Sequence, residues 1–266
     1  MSSTELSKKH ATDCLTALGF LVEQIDEVRD GKRADLRAKK AHEEYVIEAK
    51  GRAESQKWLQ LRQMVESVGF DTLSRQVRPW NAMSSQIKQA HRQLTETPAP
   101  PEAVRLMWVP AIHDDDEFVL NCLFVKLFGV VRLSCIKKMS PTETISTKDC
   151  YFYRPGDFRR FRGIDGAVLA GRTSGALCVN PFSPRAGLLR AGALHKYFAD
   201  EGAVRDPETL DQEGRAFFLG EDFAGSTDRD SWAYIRKRYG ILTSPMFDHA
   251  FDGRVLLRAD PVSPSA

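Results

Sequence analysis

An apolar strand that ends in two charges constrains this chain more than any other stretch. Residues 44–50 read Glu-Tyr-Val-Ile-Glu-Ala-Lys. Alternation along a strand puts Val46, Glu48 and Lys50 on one face and Tyr45, Ile47 and Ala49 on the other. A strand with apolar residues on both faces belongs inside a sheet, covered on each side. Glu48 and Lys50 then project side by side at its end. Asp35 lies 13 positions before Glu48, a spacing that suits the partner strand of a hairpin. Two carboxylates converging on one point favour a hard divalent cation, Mg2+ or Mn2+, and the neighbouring lysine is placed to position a water or offset charge on a phosphate.

The elements around this hairpin follow from periodicity and punctuation. Residues 4–18 read as a helix with Thr4 as N-cap, an apolar face of Leu6, Ala11, Cys14, Leu15 and Leu18, and Gly19 as its stop. A short strand is expected over 20–25. Two more, over 33–38 and 44–49, are joined by the polar residues 39–43. Helical spacing returns over 56–68 and 82–94, and Pro98, Pro100 and Pro101 break the chain before a strand at 104–112. The acidic run 113–117 reads as a surface loop. Residues 118–136 are strongly apolar and fit either a helix or strands, with Gly129 and the pair Val130, Val131 favouring strands. Further on, 151–153, 166–170 and 176–179 are short strands, with 171–175 as a hairpin connection, and 188–198 and 231–239 are helices. The pattern is α/β, a mixed central β-sheet flanked by helices, with an α+β C-terminal extension and a boundary near 140, dividing residues 1–140 from 141–266.

The order helix, strand, Arg33-Ala34-Asp35-Leu36, then Tyr45-Val46-Ile47-Glu48-Ala49-Lys50-Gly51 resembles the PD-(D/E)XK nuclease superfamily. That superfamily includes restriction endonucleases, Mrr-type enzymes and archaeal Holliday-junction resolvases. The resemblance covers about residues 4–112. It implies a restriction-endonuclease-like core and a Mg2+-dependent endonuclease. Asp35 and Glu48 would hold the metal and Lys50 would assist the attacking water. Ala34 stands where the motif has proline, a position that holds no metal. Some members add a glutamate from the first helix, for which Glu5 is the candidate. Glutamines on the helix after the motif, here Gln86, Gln89 and Gln93, point toward the site in some relatives. A setting in restriction or phage defence follows from the resemblance alone. The alternative is a catalytically silent subunit of this fold that binds nucleic acid or partner proteins.

Charge bears on the partners. Residues 32–62 carry nine basic side chains, Arg33 and Arg52 among them, against five acidic ones, a local excess of +4 beside the acidic pair. The segment 151–162 interleaves aromatics with Arg159, Arg160 and Arg162. This suits either a nucleic-acid surface or aromatics packed inward with arginines outward. Yet the whole chain of 266 residues is only +2, which argues for weak binding by a monomer and for self-association or a partner subunit. DNA is a more fitting substrate than RNA. No apolar run is long enough for a membrane span and no secretory signal opens the chain, so a cytoplasmic location is expected. Five widely spaced cysteines and six histidines without ligand spacing read as core thiols and ordinary side chains.

Overall fold

Ser2, rather than Thr4, caps the first helix. Its hydroxyl accepts from the Glu5 N–H (3.2 Å) and the Glu5 carboxylate accepts from the Ser2 N–H (2.5 Å), a reciprocal box that opens α1 (Ser3–Ala17). Ser7, Ala11 and Leu15 are its buried stripe, and Gly19, at φ 80°, turns the chain into β1 (Leu21–Gln24). The structure, a computed structural model, describes residues 1–26, 33–52, 56–68, 70–77, 82–113, 116–139, 142–172, 174–225, 227–241, 246–248 and 251–257. Asp114, Asp115 and the C-terminal residues 258–266 therefore lie outside the described residues.

β2 (Leu36–Lys40) and β3 (Glu43–Ala49) form the expected antiparallel hairpin, joined by a turn of Ala41 and His42 that is tighter than residues 39–43. α2 (Gln56–Val68), β4 (Phe70–Gln76), α3 (Ala82–Glu96) and β5 (Val104–Pro110) follow. The apolar stretch 118–136 is not a pair of strands. Its first part is α4 (Asp116–Phe128), and Asp116 and Glu117 form the helix's first turn rather than a loop. Gly129, at φ 56°, ends that helix, and the chain enters β6 (Val131–Met139) two residues on.

β7 (Thr142–Tyr151), α5 (Asp157–Arg160), β8 (Gly166–Ala170) and β9 (Gly175–Val179) come next. The helix expected over 188–198 is two helices, α6 (Ala186–Ala191) and α7 (Ala193–Asp200), broken at Gly192. There a Cβ would lie 2.3 Å from the Tyr45 hydroxyl, so the chain bends where β3 passes close. β10 (Val204–Arg205), α8 (Pro207–Gln212), β11 (Ala216–Phe218), α9 (Asp228–Tyr239), β12 (Met246–Asp248) and β13 (Phe251–Leu257) complete the order.

This is an α/β protein. Its central mixed sheet of seven strands has the order β1-β2-β3-β5-β8-β9-β10. A smaller sheet, β11-β7-β6-β12, lies beside it, and β4 pairs with β13. β3 runs parallel to β5, and β5 parallel to β8, so the motif strand is interior as its two apolar faces require. One face, with Val46, Met107 and Val109, packs on Ile87, Ala90 and Leu94 of α3 and on α4. The other, with Tyr45, Ile47, Leu106 and Trp108, packs on Ala11 and Leu15 of α1 and on α6 and α7.

Strands from beyond residue 140 thus extend the same sheet. Asp165, buried just before β8, ties them in. Its carboxylate accepts from the Arg105 N–H (2.7 Å), the Arg185 guanidinium (2.8 Å) and the Ser183 hydroxyl. Among the described residues, no helix is long and apolar enough to cross a membrane. Cys122, Cys150 and Cys178 are buried and Cys14 is half-buried.

Candidate metal centre

The register of β2 on β3 pairs Leu36 with Ile47, and one step further sets Asp35 opposite Glu48. Backbone pairing continues that far: the Asp35 N–H donates to the Ile47 carbonyl (3.0 Å). The Lys50 N–H donates to the Trp108 carbonyl (2.8 Å), which holds the end of β3 against β5. The three motif side chains therefore meet where the strands end.

The Asp35 Oδ2 accepts from the Ala49 N–H (2.9 Å), while its Oδ1 faces the Lys8 Nζ at 2.7 Å. Glu48, 1 % exposed, accepts from the Lys50 Nζ through Oε1 (2.5 Å). Its Oε2 is buried and has no donor. The nearby Asp35 carboxylate could hydrogen-bond with Glu48 only if one of the two carried a proton. Burial first, and then the Asp35 charge, push the Glu48 pKa up from 4.5 to about 7, against the opposing pull of Lys50.

α3 supplies the other wall. Gln93, buried, accepts from the Lys50 Nζ (3.0 Å) through Oε1 and donates to the Arg33 carbonyl (3.0 Å) through its amide. Thr97, one turn on, accepts the Ala34 N–H (2.7 Å) and donates to the Gln93 carbonyl (2.6 Å). A proline at 34 could not make that bond, which accounts for alanine there. Gln93 thus spans from the strand carrying Lys50 to the segment carrying Asp35. Gln86 lies two turns earlier, beside Lys50, Gly51, Arg52 and Asp116 in a small cleft, and Gln89 is half-buried between them.

Other expected residues are placed elsewhere. Glu5 is exposed and engaged in the N-cap of α1, and it is Lys8, one turn along, that reaches Asp35. The sequence did carry a signal for Lys8, since it borders the buried stripe of Ser7, Ala11 and Leu15. α1 comes so close because Gly51 has no side chain: a Cβ there would lie 2.2 Å from the Ser3 carbonyl oxygen. Arg33 contributes its carbonyl. Arg52 pairs with Asp116 (3.1 Å), whose other oxygen accepts from the Ile112 and His113 N–H groups.

Arg159 is built into the fold. It donates to the carbonyls of Leu219 (2.6 Å), Gly220 (2.9 Å) and Phe223 (3.1 Å), with its guanidinium 4.7 Å from the Phe182 ring centroid. Arg160 is exposed over Phe161, and Arg162 pairs with Glu221 (2.9 Å). The aromatics of that segment, Tyr151, Phe152, Tyr153, Phe158 and Phe161, are buried, so they pack inward rather than offering stacking faces.

The donor set fits a divalent cation of the Mg2+ type. Such an ion keeps several waters and takes one or two carboxylates, and here a buried carboxylate oxygen without a donor faces a second carboxylate. Among the described residues, no group of three or more His, Cys, Asp or Glu side chains is gathered for a metal.

The Glu48 shift has a consequence in pH. Between about 4.5 and 7 the folded, metal-free protein holds a proton that the unfolded chain has lost, so stability falls as pH rises through that window. A cation needs the ionised form. Mn2+ affinity is therefore expected to climb about tenfold per pH unit below about 7 and to level off above it. Mn2+ titrations at about pH 6 and about pH 8 check this, and equal affinities would contradict it. Comparison with known proteins found no matching family model, no matching curated protein and no matching solved structure.

Proposed function

We propose that this chain is a metal-dependent endonuclease of the PD-(D/E)XK type, hydrolysing phosphodiester bonds of DNA. One observation carries the reading: Asp35 and Glu48 converge at neighbouring strand ends, with a buried, donorless Glu48 oxygen and Lys50 alongside. Asp35 and Glu48 would hold Mg2+ or Mn2+, and the bound ion would act as Lewis acid and template for the phosphate. Lys50, held between Glu48 and Gln93, places a fixed positive charge where the attacked phosphate gains negative charge. Gln93 keeps that ammonium from turning away and steadies the segment that presents Asp35. The fold needs no loop movement to bring these groups together, because each is anchored to a strand end or to α3.

The competing reading is a subunit with this architecture that binds without cutting. It is favoured by the internal neutrality of the site, where Lys8 and Lys50 balance the two carboxylates. One assay separates them. Supercoiled DNA incubated with the purified chain should be nicked or linearised with Mg2+ or Mn2+, and left intact with chelator. Ca2+ should bind but turn over poorly, since its larger radius and looser geometry position a water badly. Cleavage that persists in chelator would overturn the metal assignment, and binding without any cleavage would favour the silent subunit.

A further inference from the structure

Lys8 has no place in the motif, yet it holds a first-rank position at the site. Its Nζ lies 2.7 Å from the Asp35 Oδ1, with the two side chains 25 % and 10 % exposed. The other Asp35 oxygen is committed to a backbone N–H of β3, which cannot leave without disturbing the strand. A cation entering between Asp35 and the donorless Glu48 oxygen would approach the Asp35 Oδ1 and hence the Lys8 ammonium. At separations of about 4–5 Å, a dication and an ammonium repel strongly enough in a partly buried site to shift affinity about tenfold or more. Lys8 sits on a flexible four-carbon stem, half-buried at the surface of α1, so its charge can move to another anion while the helix stays in place.

We infer that Lys8 is a positioning residue that gates metal loading, holding Asp35 in the metal-free protein and moving to a substrate phosphate when nucleic acid arrives. This rests on the metal-site reading above. The phosphate supplies the anion that takes Lys8 over, and Asp35 is then released toward the cation. Metal and nucleic acid consequently load together, each raising the affinity for the other by the same factor.

The test is Mn2+ binding, read from the signal of free Mn2+ by electron paramagnetic resonance, with and without a short DNA duplex and with no turnover required. Lys8→Met, which keeps the stem and removes the charge, is expected to bind Mn2+ alone about tenfold more tightly than the unaltered protein. Lys8→Gln should do the same, and Lys8→Arg should stay within about twofold. Duplex should raise Mn2+ affinity several-fold in the unaltered protein and hardly at all in Lys8→Met.

Glu48→Gln serves as the reference, since it should lose Mn2+ binding if the site is where we place it. Loss in Glu48→Gln with unchanged or weaker binding in both neutral Lys8 variants overturns the gate and leaves the site standing. Undiminished binding in Glu48→Gln overturns both.

Discussion

Glu48→Gln is expected to reduce metal-dependent cleavage by about three orders of magnitude or more, and yet to raise the melting temperature of the metal-free protein at about pH 8. The two effects share one cause. Glu48 is buried beside Asp35, and both features disfavour its charge, which lifts its pKa to about 7. At about pH 8 the folded chain must carry that charge at a cost of, at most, a few kcal/mol. Glutamine fills the same volume and still accepts from Lys50, but it offers no anion to a cation. Part of the cost is regained, roughly 1–2 kcal/mol, or a few degrees in a chain of this size. Lys50→Ala should also lose cleavage by orders of magnitude, but with reduced stability, because it leaves Glu48 without its cation. Plasmid cleavage and calorimetric melting on the same preparations check both halves. A Glu48→Gln protein that cuts normally, or that melts much lower at about pH 8, would contradict the account.

Gly129→Ala is expected to be strongly destabilising. Its φ of 56° is a conformation that L side chains rarely adopt, and a Cβ there would sit 1.9 Å from the Arg154 carbonyl oxygen. The neighbouring backbone cannot yield cheaply. The Phe152 N–H donates to the Phe128 carbonyl (2.7 Å) and the Arg154 N–H to the Gly129 carbonyl (3.1 Å), so the end of α4 is clamped to the segment after β7. Phe128 packs there edge-on against Tyr151, Phe152 and Phe158. The loss should be on the order of 3–5 kcal/mol, within reach of the whole stability of such a domain. Gly187→Ala is the internal control. It lies in α6 with nothing within 4 Å of the added methyl, and helix propensity makes it neutral or slightly stabilising. Urea unfolding followed by ellipticity compares the three proteins. Equal midpoints would show that Gly129 is not the clamp described.

The contrast between these positions explains what could be read in the sequence. The hairpin of β2 and β3 was legible because its signal is local: alternation fixes the faces, and a strand that is apolar on both sides must be interior. α2 and the span of α3 followed from periodicity in the same way. Gly129 misled, because a glycine amid apolar residues fits the interior of a strand as well as the stop of a helix. Only the clamp from Arg154, which is remote in sequence, decides between the two. The same holds at the site. Asp35, Glu48 and Lys50 announce themselves by spacing, whereas Lys8 enters only because Gly51 lets α1 approach, and Gln93 because Thr97 and Arg33 orient it. Glu5 was the first-helix candidate that the family resemblance implied, but its capping role was decided by Ser2 three residues earlier. The segment holding Arg159 suited either a nucleic-acid surface or a packed one, and it is the carbonyls of Leu219, Gly220 and Phe223, from far along the chain, that engage its guanidinium.

The position of β5 in the central sheet has a consequence for the chain during its synthesis. Every residue of the candidate site, from Lys8 to Gln93, has left the ribosome before β8 exists. β5 pairs with β3 on one side, but its other edge is filled only by β8, and the sheet ends with β10 at Arg205. A nascent chain that stops near residue 140 therefore holds every side chain of the candidate site on an unfinished scaffold. It also has a row of unpaired backbone groups along Val104–Pro110 open to any passing strand. Asp165 closes this interval when it arrives, accepting the Arg105 N–H at the start of that same strand. The side chains of the candidate site are thus the early product of translation, and the far half of the sheet that flanks them is the late one.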